Sequence, residues 1–315
     1  MIRRLALATI VAVTAVLVWL AVRTIEFDRT WDALRQSEFV WALPSLALLA
    51  LSVPLRALRW QVLFAPGRRP PFAATTASML VGLFFNSILP LRAGEAARVL
   101  DLGRRTGTSR AETLATVGVE RAVDVLALIA LLVCSLPFLP DVGWARTAAW
   151  LGAALLLGLV AVAVALALFG DRPLHLLAVP LRWVPLGVER RERAVGHLGL
   201  GLAALRDWRV AALSGALTLV SWLVLAASCW ALMPAFDLGL GYEAGVLVLV
   251  AVGLASVVPA PPASLGVFEG AVVVALTAFD VEPSIALSYA LVLHAVNFFP
   301  YLLAGLAVLP GRGPR

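Results

Sequence analysis

Three ionisable side chains, Glu120, Arg121 and Asp124, lie close together in the apolar segment 112–136. Residues three and four apart are neighbours on the surface of a helix, so a helix here carries all three on one broad face. If the segment crosses a membrane, each of these groups is costly and needs a partner or a purpose. The spacing predicts either an internal ion network that locks helices together or the polar wall of a path for a charged substrate.

A second polar face is predicted in the last apolar segment, 284–309. His294, Asn297 and Tyr301 follow one another at the i, i+3 and i+7 spacing of a single helix face. A histidine in a membrane helix serves either as a hydrogen-bonding partner of another helix or as a proton relay. The sequence leaves both roles open.

Two further carboxylates, Glu95 and Glu269, stand beside glycine at points where the apolar pattern is interrupted. A carboxylate there either caps the N-terminus of a half-helix, which is a structural role, or gates the path and binds a cationic part of a substrate. The hinges of these interruptions are predicted at five residues: Pro90, Gly94, Pro259, Pro262 and Gly266.

Arginines surround the first interruption: Arg56, Arg59, Arg92, Arg98, Arg104 and Arg105. The planar guanidinium matches the oxygens of a phosphate group, so this cluster suits a phosphate-bearing lipid head group. The usual excess of arginine on the cytoplasmic side explains part of the group. Arg92 and Arg98 flank Glu95 directly and are predicted to hold the phosphate.

The composition restricts the class of protein. The 315 residues are 62% hydrophobic and 14% charged, against about 25% charged in a soluble domain, so lipid must be part of the solvent. The net charge of +6 is spread between apolar runs and does not form a nucleic-acid-binding patch. All 25 basic residues are arginine, which excludes a P-loop lysine and a Schiff-base lysine. Cysteine and histidine show no metal-ligand spacing, and no cofactor is predicted.

The elements that position these residues are apolar segments long enough to form membrane helices. A helix needs about 20 residues to cross a bilayer. Placing arginine-rich loops inside requires that 72–103 enter from the cytoplasm and return, and that 243–279 do the same from outside. The predicted fold is therefore an all-α polytopic membrane protein with six crossings and two broken re-entrant hairpins. The apolar segments lie at 5–22, 40–65, 72–89, 112–136, 147–169, 209–234, 243–279 and 284–309.

The predicted organisation has three parts. Residues 1–39 form an uncleaved signal-anchor helix and an external amphipathic segment, 40–309 form the membrane domain, and 310–315 form a cytoplasmic tail. Within the domain, halves at 40–169 and 209–309 are joined by a cytoplasmic amphipathic segment at 170–208. The expected location is the bacterial inner membrane, with both termini cytoplasmic.

The two halves resemble each other in their spacing. Glu95 is followed 25 residues later by Glu120, and Glu269 is followed 25 residues later by His294. In the predicted topology, 112–136 runs outward and 284–309 runs inward, so the halves are expected to be inverted repeats. Inverted repeats with broken helices that meet at the midplane are a recurring design of secondary transporters.

These residues also carry a resemblance to a known family, since the sequence is similar to the flippase-like transmembrane domain of lysylphosphatidylglycerol synthases and its stand-alone relatives. The similar stretches are Pro90-Leu-Arg92-Ala-Gly94-Glu95-Ala-Ala-Arg98, Arg104-Arg105-Thr-Gly107, Glu120-Arg121-Ala-Val-Asp124 and Pro262-Ala-Ser-Leu-Gly266-Val-Phe-Glu269. The resemblance covers about 40–309. It implies a module that moves aminoacylated phospholipids in the founding members and other lipids or lipid-linked sugars in relatives.

Two departures from that family bear on the function. The family usually has a glycine pair where this chain has Ala263 and Ser264, which predicts a looser approach of backbone to ligand and a different substrate. The founding members also carry a soluble aminoacyl-transferase domain. This chain ends at Arg315, so it is not expected to make aminoacyl lipids itself.

The sequence thus predicts a lipid flippase for a phospholipid or a lipid-linked anionic substrate. Its substrate-binding residues are predicted to be Arg92, Glu95, Arg98, Glu120, Arg121, Asp124, Glu269, His294 and Asn297. Two other functions stay open: an intramembrane enzyme acting on a lipid phosphate, and an accessory protein that presents lipid to a lipid-synthesising partner. The partners expected are membrane lipids and not nucleic acid.

Overall fold

The computed structural model describes residues 27–65, 67–89, 93–140, 207–256 and 262–309, with scattered positions between 143 and 158. Over these residues the chain is helical and contains no β-strand, so the prediction of an all-α protein is confirmed. The α-helices with described ends are α1 (Phe27–Gln36), α2 (Ala42–Val62), α3 (Phe72–Ile88), α4 (Gly94–Thr106), α5 (Arg110–Ser135), α6 (Trp208–Leu232), α7 (Tyr242–Ala255), α8 (Val267–Thr277) and α9 (Pro283–Val308).

Three stretches in the described part of the chain are long and apolar enough to cross a membrane. They are Phe39–Val62, Arg209–Phe236 and Pro283–Val308, which contain α2, α6 and α9. Helix α5 is as long as α9, with 26 residues, but the charged residues Glu120, Arg121 and Asp124 interrupt its apolar sequence. The predicted count of six crossings stays a prediction. Its segments at 5–22 and most of 147–169 lie outside the described residues, as do the segment 170–206 and the tail 310–315.

Helices α3 and α4 form a tight antiparallel pair. Ser78 Oγ donates to Asp101 Oδ2 at 2.8 Å, and closer to the turn Gly94 N donates to Asn86 Oδ1 at 2.9 Å. A Cβ on Gly94 would collide with the carbonyl oxygen of Gly82, so this glycine permits the close approach of the two backbones. The helices have 17 and 13 residues, each short of the roughly 20 needed for a crossing.

A second broken pair consists of α7 and α8, with 14 and 11 residues. The chain turns between them through a short 3-10 helix, Pro262–Ser264, that contacts α3. Ala263 has φ +58°, Ser264 has φ +56° and Gly266 has φ +79°. The left-handed region costs an L-residue about 1–2 kcal/mol and suits glycine, so this turn stores backbone strain at two positions. Of the predicted hinges, Pro90 and Pro259 lie outside the described residues.

Contacts between helices recur in the two halves when α2, α3, α4 and α5 are matched with α6, α7, α8 and α9. Helix α3 packs on α9 just as α7 packs on α5, and α2 packs along α6, its own counterpart. The pairs α2–α3, α3–α4 and α4–α5 have counterparts in α6–α7, α7–α8 and α8–α9. This correspondence is expected of halves that are related by an internal two-fold axis, but the inverted repeat and the orientation of each half relative to the membrane stay predictions.

Candidate functional site

The centre of the first half is a buried ion network that begins on α2. Arg59 Nη2 lies 2.7 Å from Glu120 Oε1 on α5, and the other terminal nitrogen contacts Asp124 Oδ1. Trp222 of α6 donates from Nε1 to the same Asp124 oxygen at 3.0 Å. The Arg59 side chain is only 2% exposed and that of Glu120 is not exposed at all. The carboxylates of α5 therefore join α2 and α6 through charge-assisted hydrogen bonds.

Arg98 connects this network to the N-terminus of α4. Its Nη2 lies 2.6 Å from Glu95 Oε2, and its Nη1 lies 3.1 Å from Glu120 Oε2. The guanidinium carbon also stands 4.7 Å from the ring centroid of Trp60, a cation–π arrangement. One arginine thus holds two carboxylates that are 25 positions apart in the chain.

Arg121 is the last member of the network, and its side chain is partly exposed. Its Nη2 lies 2.9 Å from Glu120 Oε1, 3.4 Å from Asp124 Oδ2 and 3.7 Å from Glu95 Oε1. Its side chain is 34% exposed, whereas its partners Glu120 and Asp124 are buried. We call the following six residues the ion cluster: Arg59, Glu95, Arg98, Glu120, Arg121 and Asp124. The cluster has three positive and three negative charges, so it is balanced within itself.

In the second half, Glu269 and His294 form a smaller pair. Glu269 Oε1 lies 2.6 Å from His294 Nδ1, and its other oxygen accepts a hydrogen bond from Gly266 N at 2.7 Å. The imidazole stacks on Phe268 with a centroid separation of 4.5 Å. Glu269 therefore caps α8, the structural role considered for it. Glu95 occupies the first turn of α4 but pairs with arginines, and Asn86 satisfies the backbone there instead.

The predicted face of α9 exists as a continuous polar wall. His294, Asn297 and Tyr301 line one cavity, as their spacing predicts. The Asn297 amide donates from Nδ2 to Leu293 O at 2.9 Å, within its own helix. His294 keeps its orientation through Glu269, so its ring is held at the cavity wall.

That cavity, of about 230 Å³, lies where the two halves meet, and we call it the polar cavity. The first half contributes residues of α2, α3, α4 and α5, and the second contributes the turn before α8 together with α8 and α9. The ionisable groups on the wall are three arginines, one glutamate and His294, which gives two net positive charges when His294 is neutral. The lining residues that bear on its chemistry are Arg56, Asn86, Ser87, Glu95, Arg98, Arg121, Ser264, His294, Asn297 and Tyr301.

Most of the predicted site residues converge on this cavity, although their spacing along the chain could not show it. Glu120, Asp124 and Glu269 lie behind the wall and hold the groups that form it. Arg92 lies outside the described residues. The substrate role of each residue stays a prediction.

Arg56 and Arg59 belong to the arginine group that the sequence suggested for a phosphate, but neither was predicted as a substrate-binding residue. Both were counted among basic residues of the cytoplasmic side, but α2 continues to Val62, so both lie within the helix. Arg56 and Arg59 stand three residues apart, about one turn of helix. Arg59 directly precedes the buried Trp60. Charged residues inside an otherwise apolar run are the signal that could have identified them.

Comparisons with known proteins agree with this architecture. A UPF0104 membrane protein of Methanothermobacter thermautotrophicus is 26% identical over an alignment of 306 positions that covers 90% of this chain and 88% of that protein. The family model described as the lysylphosphatidylglycerol synthase TM region matches residues 5–305. The match confirms the resemblance found in the sequence motifs and extends it towards the N-terminus. The chain is a membrane protein, and it belongs to the lysylphosphatidylglycerol synthase transmembrane-region family.

Proposed function

We propose that this protein is a lipid flippase that accepts an anionic head group in the polar cavity and moves it between the leaflets of the bacterial inner membrane. The observation that carries the proposal is the composition of the cavity wall. Both halves contribute to one cavity whose wall has three arginines and one glutamate. Ionisable groups at membrane depth are costly, so a charged chamber inside an apolar helical protein is expected to serve a charged ligand.

The packing pattern supports movement and not only binding. Each half has a long helix, a broken pair and a second long helix, and corresponding helices make corresponding contacts. In transporters built from inverted repeats, the two halves rock around a fixed central site and open it to each side in turn. We propose this arrangement here, with six crossings, two re-entrant pairs and cytoplasmic termini.

The site residues have two proposed roles: some contact the head group and others orient those that do. Glu95, Arg98, Arg121, His294 and Asn297 form the wall that meets the head group. Glu120, Asp124 and Glu269 orient that wall from behind, because each holds a lining residue at 2.6–3.4 Å. Arg92, which lies outside the described residues, is proposed to hold the phosphate together with Arg98.

The test is movement of lipid by the purified protein in liposomes. Fluorescent phosphatidylglycerol or phosphatidylcholine is incorporated in both leaflets, and a membrane-impermeant reductant destroys the fluorophore on the outer face. The wild type is expected to raise the reducible fraction of phosphatidylglycerol above that of protein-free liposomes. The measurement is repeated with a transmembrane pH gradient, because lipid movement that is driven by a proton gradient would otherwise be missed. No movement of either lipid under both conditions would refute the proposal.

An intramembrane enzyme is the second candidate, favoured by one observation. His294 is held by the Glu269 carboxylate, as a general base is held in hydrolases, and Ser264 lies on the same cavity wall. No hydrogen bond joins Ser264 to His294 among the described contacts, which argues against a preformed nucleophile. Product formed from a polyprenyl-phosphate donor by the purified protein would favour this candidate over transport.

The accessory function has a separate discriminating experiment. A protein that only presents lipid to a partner enzyme is expected to copurify with that partner in a fixed ratio. It would also leave lipid unmoved in liposomes when isolated.

A further inference from the structure

A second cavity, of about 240 Å³, adjoins the polar cavity, and we call it the apolar cavity. It lies among α2, α6, α7, α8 and α9. Its wall is mainly hydrocarbon and aromatic, from Trp222, Leu225, Leu249, Val252 and Leu293. The same membrane protein therefore holds a charged chamber and a mainly apolar chamber side by side.

Four residues belong to both walls: Arg56, Phe268, Asn297 and Tyr301. Of these, Arg56 alone is charged. It is half-buried on α2, one turn before Arg59. A charged group at this point faces the polar cavity on one side and the apolar cavity on the other.

The state of Arg56 differs from that of the other arginines around the polar cavity. Arg59, Arg98 and Arg121 each contact two or more carboxylate groups of the ion cluster. Among the described residues, Arg56 has no ion pair and no hydrogen bond from its side chain, although its charge acts on Glu120. Within the described part of the chain, the balanced ion cluster thus leaves Arg56 without a counter-ion in direct contact.

Glu269 does not supply that counter-ion. Its two oxygens are engaged by His294 and by Gly266 N at the N-terminus of α8, and it is absent from the walls of both cavities. A ligand that places one negative group beside Arg56 would complete the charge balance at the junction.

We infer that Arg56 is the anion anchor for an amphiphile that lies across both cavities. The guanidinium holds a singly charged phosphodiester, an acyl chain occupies the apolar cavity, and the remaining polar part of the head group occupies the polar cavity. This inference rests on the proposed lipid-binding function and names the residue that selects its substrate. It predicts that the protein prefers anionic to zwitterionic phospholipids. The wall of the polar cavity is net positive, and its one carboxylate, Glu95, already contacts arginines, so the quaternary ammonium of a zwitterionic lipid finds no partner there.

The test uses phosphatidylglycerol and phosphatidylcholine that carry a photoreactive group on one acyl chain. The full chain is reconstituted, illuminated and digested, and labelled peptides are identified by mass spectrometry. Wild type is expected to be labelled by phosphatidylglycerol on the apolar-cavity segments around Val252 and Leu293. Phosphatidylcholine is expected to label these segments only weakly even in the wild type. Arg56→Gln should lower labelling by phosphatidylglycerol about tenfold or more, the effect of losing a charge-assisted contact.

Three controls separate charge from folding and lipid from free anion. Arg56→Lys keeps the charge without the fork and should fall between the wild type and Arg56→Gln. Arg69→Gln removes an exposed arginine that lines neither cavity and should behave as wild type. Inorganic phosphate in excess should not compete, because it has no chain for the apolar cavity.

The outcomes distinguish this inference from the proposed function. Equal labelling of wild type and Arg56→Gln by phosphatidylglycerol would overturn the anchor, as would competition by inorganic phosphate or an absence of labels from the apolar-cavity segments. Labelling that depends on Arg56 would support the anchor even if the wild type moved no lipid in liposomes. In that case transport, and not the anion site, would be wrong.

Discussion

His294 Nδ1 lies 2.6 Å from Glu269 Oε1, and the two residues stand 174 positions beyond Glu120 and Glu95 (294 − 120 and 269 − 95). In the first half the corresponding residues are two carboxylates, which are held together by Arg98 between them. In the second half a carboxylate meets an imidazole directly. Equivalent positions therefore carry two carboxylates bridged by an arginine in one half and a direct carboxylate–imidazole contact in the other.

The first prediction concerns the cap that Glu269 provides. Glu269→Gln keeps an oxygen that accepts from Gly266 N, so it should unfold at nearly the wild-type temperature. Glu269→Ala removes the cap and should lose about 0.5–2 kcal/mol of stability. Thermal unfolding in detergent measures both variants. Equal loss in the two would mean that the charge, and not the hydrogen bond to α8, stabilises this turn.

The buried ion network predicts a much larger effect at Arg59. Arg59→Met leaves Glu120 and Asp124 short of a partner in the protein interior, which typically costs about 3–5 kcal/mol. The matched control is Arg68→Met, because Arg68 is exposed and pairs with Glu112 at 2.7 Å. An exposed pair contributes roughly 0–1 kcal/mol. Similar stability losses in the two variants would contradict the buried network.

The turn before α8 predicts two stabilising substitutions. Ala263 and Ser264 have φ near +58° and +56°, where an L-residue is disfavoured by about 1–2 kcal/mol. Ala263→Gly and Ser264→Gly should each raise stability by roughly 0.5–1 kcal/mol, after the entropy that glycine gains in the unfolded chain is subtracted. Ala271→Gly, inside α8, should instead cost about 1 kcal/mol. Destabilisation at all three positions would show that the turn is not left-handed.

A fourth prediction addresses the sidedness of the first broken pair. Arg105 donates from Nη2 to Val308 O at 2.6 Å, so the C-terminal ends of α4 and α9 lie at the same end of the bundle. In a background without Cys134 and Cys229, Thr108→Cys should react with an impermeant maleimide from the same side as a C-terminal tag. Asp280→Cys, which lies beyond the C-terminal end of α8, should react from the opposite side. Labelling of Thr108→Cys from the side opposite to the tag would remove the basis for the inverted repeat.

Much of the helical framework could be predicted from the sequence, because the length of an apolar segment and the proline and glycine residues that interrupt it are local properties. The long helices α2, α5, α6 and α9 lie within a few residues of the apolar segments, and the segment 243–279 is broken at Gly266. Periodicity also placed His294, Asn297 and Tyr301 on one face. Each of these features depends on residues close together in the chain.

Charge pairing between helices did not follow from the sequence in the same way. The spacing of Glu120 and Asp124 shows that they share a face, but it does not show that Arg59 of α2 reaches them. Arg98 was predicted to hold a phosphate from its place beside Glu95, and the fold brings Glu120 against its other side. Which arginine is left without a carboxylate partner depends on how α2, α4 and α5 pack together. The spacing of residues along the sequence does not contain this information.

The proposed transport requires that the head group pass through the polar cavity. The most direct measurement is the liposome assay on Ser87→Phe, which puts a ring into the cavity from its wall. Thr277→Phe is the matched control, since Thr277 is exposed on α8 and each hydroxyl donates only to the carbonyl oxygens of its own helix. Ser87→Phe is expected to fold but to move phosphatidylglycerol at least about tenfold more slowly than Thr277→Phe, because the added ring fills the ligand site. Equal rates of movement in the two variants would contradict this route.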